Sequence, residues 1–464
     1  YIAVSSVDVN GDESYKVYGM GTPYSIPMMP SGFTDAPGWE EILFSWNANQ
    51  ELDLAGYHLY RSSPPSIAET MIGGLITSTS YLDADFPTGN DYYFYRLCAV
   101  DTDGNESPIT EPIRTRRVTL NAGTLLVNET LPGSGNTPFQ PSPAQVTSFM
   151  EDLMSPFQPA TIDFSEVGSL RISDIGIYQS IMWYSFDQSD NEGLFNTLDA
   201  LSDYISYGGK VFISTYFPTL SLNMNSGYPA YFDYDSSINS IFGIASANYS
   251  TQSRFKYAIP LDSAFPALTV DPQKTTASMN GHIFKIESIS ASNSAQNIYT
   301  FGSDYENSSN QGFLNGLPVG VLHDLDPGMA FTISFPLYNM QIADARALVE
   351  YVFAEIFGVD VSSNEAVLVP AYDLLLSPNY PNPFASHTGF EVATTKHQEP
   401  MFIGIYNLKG QLVKILWQGI PTSGKQHHTW QGEDNSGKTV ANGIYLLKAE
   451  QGGKAVVRKI MKMK

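Results

Sequence analysis

The spacing of apolar positions first indicates strands. Asp53–Arg61 and Tyr92–Val100 show strand-like alternation or short apolar blocks between turn residues. Phe44–Trp46 predicts another strand, and we expect its tryptophan to enter the core. Together these blocks predict that residues 23–117 form a β-sandwich.

The hairpin that follows the Tyr92–Val100 block also occurs at the start of the chain. Residues 1–14 match residues 94–107 in altered form, with an offset of 93 residues, close to the length of one sandwich module. Residues 1–22 are therefore interpreted as the tail of a preceding module and a linker. On this interpretation the chain is a fragment of something longer.

Helical periodicity enters in the middle of the chain. Ser142-Pro-Ala-Gln145 predicts a helix start, with a serine cap, a proline in the first turn and a glutamine three residues after the cap. A second helix carries an apolar stripe from Leu194 to Ile205 and ends at Gly208-Gly209. Because such helices alternate with apolar strand patterns, residues 118–360 are predicted to form a mostly parallel, doubly wound sheet, with a β-rich insertion at about 218–316.

The end of the chain returns to strand patterns. Leu412–Trp417 and Ile444–Ala449 have the length of sandwich strands, and Asn407–Gly410 has the composition of a turn. Residues 376–464 are predicted to be a short all-β module, preceded by a linker at 361–375. The predicted fold class is thus multidomain, β-rich plus α/β.

Composition and charge exclude some functions. Apolar residues make up 42% of the 464, which is enough for real cores, and no apolar run reaches the roughly 18 residues that span a membrane. The net charge of −23 argues against nucleic acid as a partner. From Pro370 onward 11 Lys/Arg stand against 6 Asp/Glu, whereas the rest of the chain has 13 against 41, so a basic end follows an acidic body.

The single cysteine and the first residues bear on stability and export. Cys98 has no cysteine partner for an intramolecular disulfide, and it is interpreted as a small core residue of an apolar strand. The chain opens inside a β pattern, without a basic start or a small-residue cleavage site, so we expect that Tyr1 is not the natural start.

Four motifs follow one another near the end: Tyr-Pro-Asn-Pro-Phe at 380–384, Gly-Gln-Leu-Val at 410–413, Asn-Gly-Ile-Tyr at 442–445 and a basic tail at 458–464. Together they resemble the C-terminal sorting domain of proteins exported by the type IX secretion system, an immunoglobulin-like sandwich that is also similar to the flagellar hook-capping Ig module. The alternative is an Ig-like module with only a structural role. The sorting-motif residues that the resemblance implies are Tyr380, Pro381, Asn382, Pro383, Phe384, Gly410, Gly443, Tyr445, Lys462 and Lys464.

This resemblance implies a location and a partner. The protein is expected to cross the outer membrane of a Gram-negative bacterium through the type IX secretion machinery. It is then released or attached to the cell surface, with surface lipopolysaccharide or other surface proteins as further partners. The resemblance says nothing about what the exported protein does there.

Two further resemblances concern the remaining parts. The Trp46 strand, the Gly56–Arg61 strand and the Ala99–Ser107 hairpin resemble a fibronectin type III module. The element order of residues 118–360, with the Tyr204–Ser214 segment, resembles a glutamine-amidotransferase-like α/β domain. That family uses a cysteine nucleophile, but this stretch has no cysteine and no Gly-x-Ser-x-Gly elbow, so we expect no catalysis of that kind.

Two clusters have the composition of metal ligands. In each case a polar turn is the alternative interpretation, and the hairpin cluster departs from an EF-hand because Gly104 comes fourth rather than sixth. We therefore predict no cofactor, with calcium as the alternative at the hairpin. The candidate residues are Asp101, Asp103 and Asn105 in the hairpin, and His323, Asp324 and Asp326 after a predicted strand.

The leading hypothesis is a non-catalytic C-terminal region of a larger secreted or cell-surface protein, acting in export or anchoring and as a spacer or interaction scaffold. One alternative makes it the accessory part of a secreted peptidase or other hydrolase whose catalytic domain lies upstream. Another makes it a glycan- or surface-binding module, because aromatics cluster in Tyr228–Tyr234. Arg114, Arg116 and Arg117 are predicted to form salt bridges between the sandwich and the α/β part.

Overall fold

The chain divides into two compact units, Tyr1–Val367 and Leu368–Lys464, and each is described by itself. Within the part of the chain that is described, no helix has the length and apolar character needed to cross a membrane. The computed structural model describes residues 2–19, 26–63, 69–86, 89–130, 140–164, 168–186, 192–223, 227–359, 375–376, 384, 386–394, 399–407, 409–421, 425–452 and 454–463.

The first unit begins with a hairpin and a seven-stranded sandwich. Strands β1 and β2 pair antiparallel; β3, β4 and β7 form one sheet of the sandwich, and β6, β5, β8 and β9 form the other in that order. The strands are β1 (Ile2–Val4), β2 (Val17–Gly19), β3 (Thr34–Pro37), β4 (Ile42–Ser45), β5 (Leu54–Ser62), β6 (Thr70–Ile76), β7 (Ser80–Asp83), β8 (Tyr93–Asp101) and β9 (Ile113–Thr115).

Alternation along the strands builds the sandwich core. Tyr57 and Leu59 of β5 point inward and meet Tyr95 and Leu97 of β8. Trp46 lies just beyond β4 and packs edge-on against Tyr57, with ring centroids 5.2 Å apart. The prediction that this tryptophan enters the core is confirmed. The opposite face of these two strands carries His58 and Tyr60 of β5 and Arg96 and Cys98 of β8.

A nine-stranded mixed sheet follows, in the order β11-β10-β12-β13-β21-β20-β19-β16-β17. Its strands and those of a small sheet β14-β15-β18 are β10 (Ala122–Asn128), β11 (Ala160–Asp163), β12 (Tyr178–Tyr184), β13 (Lys210–Ser214), β14 (Ala230–Tyr231), β15 (Ile244–Asn248), β16 (Tyr257–Pro260), β17 (Leu268–Thr269), β18 (Ser288–Ala291), β19 (Gln296–Gly302), β20 (Pro318–Asp324) and β21 (Met329–Ile333).

Seven α-helices are described, all in this part of the chain. They are α1 (Pro143–Met154), α2 (Ile172–Ile175), α3 (Glu192–Asn196), α4 (Leu198–Ser206), α5 (Pro218–Asn223), α6 (Ser237–Ser240) and α7 (Ile342–Tyr351). Short 3₁₀ turns occupy Ser155–Phe157, Pro272–Lys274, Ala277–Met279 and Leu337–Asn339, and a π-helical turn, Val352–Ile356, extends α7.

Both faces of this sheet are covered. In β12, Met182 belongs to the core that includes α1 and α7, whereas Ile181 and Trp183 belong to the core that includes α4. A strand buried on both sides needs apolar residues at consecutive positions, which is why residues 181–184 of β12 are all apolar or aromatic. The sheet is nevertheless only half parallel, because β20 pairs antiparallel with β21 and the segment predicted as an insertion contributes the antiparallel strands β16, β17 and β19.

The predicted start of α1 is confirmed. Ser142 Oγ accepts from the Gln145 backbone N–H, and Gln145 Oε1 accepts from the Ser142 backbone N–H at 2.9 Å. The predicted second helix is instead two helices, because the chain leaves helical geometry at Thr197. Its hydroxyl oxygen is 3.4 Å from the Leu170 N–H, which donates to it, and this bond ties the break to the preceding segment.

The junction between the sandwich and the sheet is built around Arg116, which is 7% exposed. Its guanidinium donates to the carbonyl oxygens of Ser173 and Asp174, at 2.6 and 2.8 Å, and stacks 4.1 Å from the Tyr92 ring centroid. The Arg114 guanidinium lies 3.7 Å from the Asp174 carboxylate, whereas Arg117 pairs with Glu40 at 2.8 Å. Arg114 forms the predicted salt bridge across the junction; Arg116 instead binds backbone carbonyls.

The second unit is a sandwich of a three-stranded sheet, β22-β23-β26, and a four-stranded sheet, β25-β24-β27-β28. Phe390, Ile403, Trp430 and Leu447 lie in its core. The strands are β22 (Leu375–Leu376), β23 (Thr388–Ala393), β24 (Met401–Asn407), β25 (Leu412–Gly419), β26 (Lys425–Trp430), β27 (Gly443–Gln451) and β28 (Lys454–Lys462).

Candidate functional site

The residues of the predicted sorting motif that the structure describes lie at one end of the second sandwich. Asn407, the last residue of β24, pairs with Tyr445 near the start of β27, and Gly443 pairs with Lys462 at the end of β28. Gly410 lies in the turn that directly follows β24. The same end of the sheet therefore brings together positions that are far apart in sequence. We call this end of the sheet the motif end.

Phe384 joins the motif end through its backbone. Its N–H donates to the Met461 carbonyl at 2.9 Å, and its carbonyl accepts from the Met463 N–H at 2.8 Å. These bonds form a parallel bridge between Phe384 and Lys462, so the end of the first motif lies beside the basic tail. Tyr380, Pro381, Asn382, Pro383 and Lys464 lie outside the described residues.

Three aromatic rings hold this arrangement together. The Phe384 ring lies 5.3 Å from the Trp430 ring, which lies 5.1 Å from the Tyr445 ring. Trp430 Nε1 donates to the Glu433 carbonyl at 2.9 Å, and the Tyr445 hydroxyl donates to the Ala441 carbonyl at 2.7 Å. Buried aromatics whose polar atoms are satisfied give a rigid base to the motif end.

Gly432 leaves the space that the basic tail occupies. A Cβ on Gly432 would lie 2.5 Å from Lys462 Cε and 3.3 Å from Phe384 Cε2, and its φ is +69°. Glycine is therefore required here both for close approach and for backbone conformation. Neither Trp430 nor Gly432 is among the predicted site residues, although the Trp-x-Gly spacing ahead of a turn is the sequence signal that marks them.

The hairpin candidates Asp101, Asp103 and Asn105 belong to one tight loop. Asp101 Oδ1 accepts from the backbone N–H groups of Asp103 and Asn105, at 3.0 and 2.8 Å, and Oδ2 accepts from the Asn105 side chain at 2.9 Å. These bonds, led by the Asn105 side-chain bond, lower the pKa of Asp101. The carboxylate is thus used by its own loop, as the polar-turn interpretation expects.

The second set of candidates is spread over a strand end. His323 is buried in β20, and its Nδ1 lies 3.0 Å from the Ile241 carbonyl oxygen. Asp324 is the exposed last residue of that strand, and its Oδ1 is 3.3 Å from the Asp326 N–H, which donates to it. His323, Asp324 and Asp326 do not form a three-ligand cluster. Among the described residues, the cluster of three His, Cys, Asp or Glu ligand atoms within 4.8 Å of one another is His58, Cys98 and Glu106.

The turn between β13 and α5 lies between a strand and a helix and contains a residue with positive φ, as the turn that carries a nucleophile does. That residue, however, is a phenylalanine. Phe217 stands there with φ +49°, is 8% exposed and packs edge-on against Tyr249, with ring centroids 4.9 Å apart. Close by, Glu287 is fully buried and accepts from the Thr219 N–H, at 2.7 Å, and from the Tyr228 hydroxyl, at 2.8 Å. Burial raises the pKa of Glu287 to about 7. A phenyl ring supplies neither a nucleophile nor a proton at this turn.

A shallow cavity of about 330 Å³ lies where β10 and β11 end beside the first turn of α1. Asn128, Thr130, Thr147 and Asp163 contribute its polar lining. The Asn128 side chain donates to Thr147 Oγ1 at 3.1 Å and accepts from the Thr130 N–H at 3.0 Å. The carboxyl ends of parallel strands are where open α/β sheets bind ligands, and this cavity lies at such an edge.

The two sandwiches define the class of protein: a chain that contains Ig/Fn3-like β-sandwich modules. Residues 384–454 match the family model described as the FlgD Ig-like domain. That match covers most of the second sandwich and includes all of the described motif end except the last residues of β28. No curated protein matches the chain.

Solved structures provide further likenesses. An Fn3-like protein from Clostridium thermocellum is 28% identical over 19% of this chain and 92% of that chain, with a TM-score of 0.17. The chicken CNTN1 FN1–FN3 domains are 16% identical over 25% of this chain and 41% of that chain, with a TM-score of 0.18. A beta-galactosidase from Bacillus circulans sp. alkalophilus is 13% identical over 67% of this chain and 42% of that chain, with a TM-score of 0.33.

Proposed function

We propose that this chain is the non-catalytic accessory and scaffold region of a larger secreted or cell-surface protein, and that the type IX secretion machinery recognises its second sandwich. The observation that carries the proposal is the motif end. Segments that are separate in sequence, from Phe384 to Lys462, pair with one another at this end of the sandwich. A transport machinery that reads folded cargo needs such a preorganised surface.

Charge supports the same proposal. The region from Pro370 onward carries a net positive charge, whereas the body of the chain is strongly acidic. The last strand, β28, contributes the exposed Arg458 and Lys459 to this region, whereas Lys462 is buried. Clustered cations suit the phosphate groups of surface lipopolysaccharide, which makes that lipid the proposed anchor after export.

Export of the chain behind a signal peptide, in a Gram-negative host with a working type IX system, tests the proposal. Deletion of residues 376–464 is expected to leave the protein inside the cell. Lys459→Gln, at an exposed position of the basic tail, is expected to reduce the exported fraction while leaving the unfolding midpoint of the purified chain unchanged. The matched control is Ile420→Ser, an exposed position just after β25, at the far end of the same sheet, and we expect it to export normally. Normal export of the deletion variant would refute the proposal.

A second candidate function, glycan or surface binding, is favoured by one observation. Tyr231 and Tyr234 are 80% and 82% exposed, whereas Tyr228 of the same cluster is partly buried and bonds Glu287. Exposed tyrosines beside carboxylates suit stacking on sugar rings. A glycan array probed with the whole chain and with the Tyr231→Ala/Tyr234→Ala variant tests this candidate, and equal signals from both proteins would reject it.

A further inference from the structure

His58, Cys98 and Glu106 meet on the outer face of the first sandwich. His58 and Cys98 are direct partners across β5 and β8, and both lie on the face opposite the core residues Tyr57 and Leu97. Glu106 returns after the tight loop and bridges to Val100. One ligand atom from each of the three side chains lies within 4.8 Å of the other two, and His58 Nδ1 is 2.6 Å from Glu106 Oε1.

We propose that His58, Cys98 and Glu106 bind a divalent transition-metal ion of the Zn²⁺ class. An imidazole nitrogen, a thiolate and a carboxylate oxygen are the donor types that zinc takes, and three protein ligands leave a fourth position for water. Calcium and magnesium prefer all-oxygen sites, so a sulfur and a nitrogen donor disfavour both. The metal site is thus distinct from the calcium alternative at the neighbouring loop.

Without metal, these side chains are connected by hydrogen bonds. Glu106 Oε1 lies within hydrogen-bond distance of His58 Nδ1 and accepts from the Tyr60 hydroxyl at 2.8 Å. Burial, together with the nearby Glu106 carboxylate, raises the pKa of Cys98 to about 12, so the thiol carries its proton. Metal binding therefore forms an S–metal bond, releases the thiol proton to solvent and requires the histidine proton on Nε2. Tyr60 stays in place to orient the Glu106 carboxylate.

The start of the chain provides an internal comparison. At the offset of 93 residues, Ser5 stands where Cys98 stands and Glu13 where Glu106 stands. Ser5 Oγ donates to Glu13 Oε1, and Val7 bridges to Glu13 as Val100 bridges to Glu106. The two hairpins thus share their geometry, but the first has a hydroxyl where the second has a thiol. A neutral hydroxyl is a poor zinc ligand, so we expect Cys98 to be a ligand that the first hairpin lacks.

Titration of the metal-free full chain with Zn²⁺ in a calorimeter, and with Co²⁺ followed by absorption, tests the site. The wild-type chain is expected to bind a single equivalent and to show the sulfur-to-cobalt charge-transfer band. Cys98→Ser, which copies the residue of the first hairpin, is expected to lose the band. Cys98→Ser and His58→Gln are each expected to lower the Zn²⁺ affinity by at least about tenfold.

Two controls separate the site from loss of folding and from adventitious binding. His387→Gln removes an exposed histidine of the second unit and is expected to bind Zn²⁺ as the wild type does. Circular dichroism and urea unfolding show whether each variant is folded, and His58→Gln changes only a partly exposed side chain. Absence of binding to the folded wild-type chain would overturn the proposal. Equal affinity in the wild type, Cys98→Ser and His58→Gln would overturn it as well.

Discussion

At the scale of single residues, two buried carboxylates are stabilised in different ways. Asp83, 2% exposed, accepts from the Arg61 guanidinium at 2.9 Å and from the Tyr95 hydroxyl at 2.8 Å, so its charge is paired. Glu287 has hydrogen-bond donors around it but no cation that bonds it among the described contacts. A buried charge without a counter-ion is destabilising, and the carboxyl group therefore favours its neutral form.

Replacing Asp83 by alanine is predicted to lower the free energy of unfolding by about 3 kcal/mol, because the partly buried Arg61 would lose its carboxylate partner. The neighbouring Asp85→Ala is the control, since its side chain is exposed, and we expect a change below about 0.5 kcal/mol. Urea unfolding of the full chain measures both. Similar losses of unfolding free energy in the two variants would mean that the ion pair of Asp83 with Arg61 contributes no more to stability than an exposed carboxylate does.

The raised pKa of Glu287 predicts a pH dependence. Between its ordinary value of 4.5 and about 7, the folded state holds a proton that the unfolded state has lost, so stability falls as the pH rises through this window. We expect the difference in unfolding free energy between wild type and Glu287→Gln to change by about 3 kcal/mol across the window, in the direction that penalises wild type at high pH. Urea unfolding at several pH values measures it, and a constant difference would contradict the assignment.

At the scale of elements, one loop recurs four times. In each copy an Asp or Asn side chain accepts from the backbone N–H groups two and four residues later, and a glycine three residues later has positive φ. The loop needs only its own residues, so it forms wherever the pattern D/N-x-x-G-x stands between strands. The four copies start at Asp8, Asp101, Asn407 and Asp434, and their glycines are Gly11, Gly104, Gly410 and Gly437.

Gly104→Ala is predicted to destabilise the first sandwich by roughly 1 kcal/mol through backbone strain alone. A Cβ on Gly104 would meet nothing within 4 Å, so no steric clash contributes, and its φ is +83°. Gly104→Asn is the comparison, because asparagine tolerates this conformation better and should cost less. The urea midpoints of the two variants check the order, and the reverse order would contradict the strain explanation.

At the scale of the whole first unit, Arg116 joins the sandwich to the mixed sheet. Its planar guanidinium reaches two carbonyls of the sheet part while stacking on Tyr92 of the sandwich. A lysine ammonium has neither the fork of donors nor the flat face needed for both contacts. This single side chain therefore contributes to the cohesion of the two parts.

Arg116→Lys is predicted to weaken the junction by roughly 2 kcal/mol, since charge-assisted hydrogen bonds to carbonyls are lost. Arg117→Lys is the matched control, because Arg117 pairs with the half-exposed Glu40 and an exposed pair contributes about 0–1 kcal/mol. Limited proteolysis between residues 105 and 121, together with urea unfolding, measures the effect. Equal protease sensitivity of the two variants would show that Arg116 stabilises the junction no more than Arg117 does.

The sequence by itself determined the features that depend on neighbours along the chain. The capping box of Ser142 and Gln145, the four recurrent loops and the alternation of Tyr57 and Leu59 are read from a few consecutive residues, because their hydrogen bonds and side-chain directions are local. The order of the four motifs near the end of the chain is read in the same way.

Only the tertiary structure decided which distant residues meet. The pairing of His58 with Cys98, and of Phe384 with Lys462, depends on strand register, and a shift of one residue would turn each side chain to the other face. The break at Thr197 and the antiparallel half of the large sheet likewise depend on contacts with remote segments. The spacing of residues within a strand does not predict its register with other strands. The proposed metal-ligand cluster could therefore not be predicted from the apolar strand that contains Cys98.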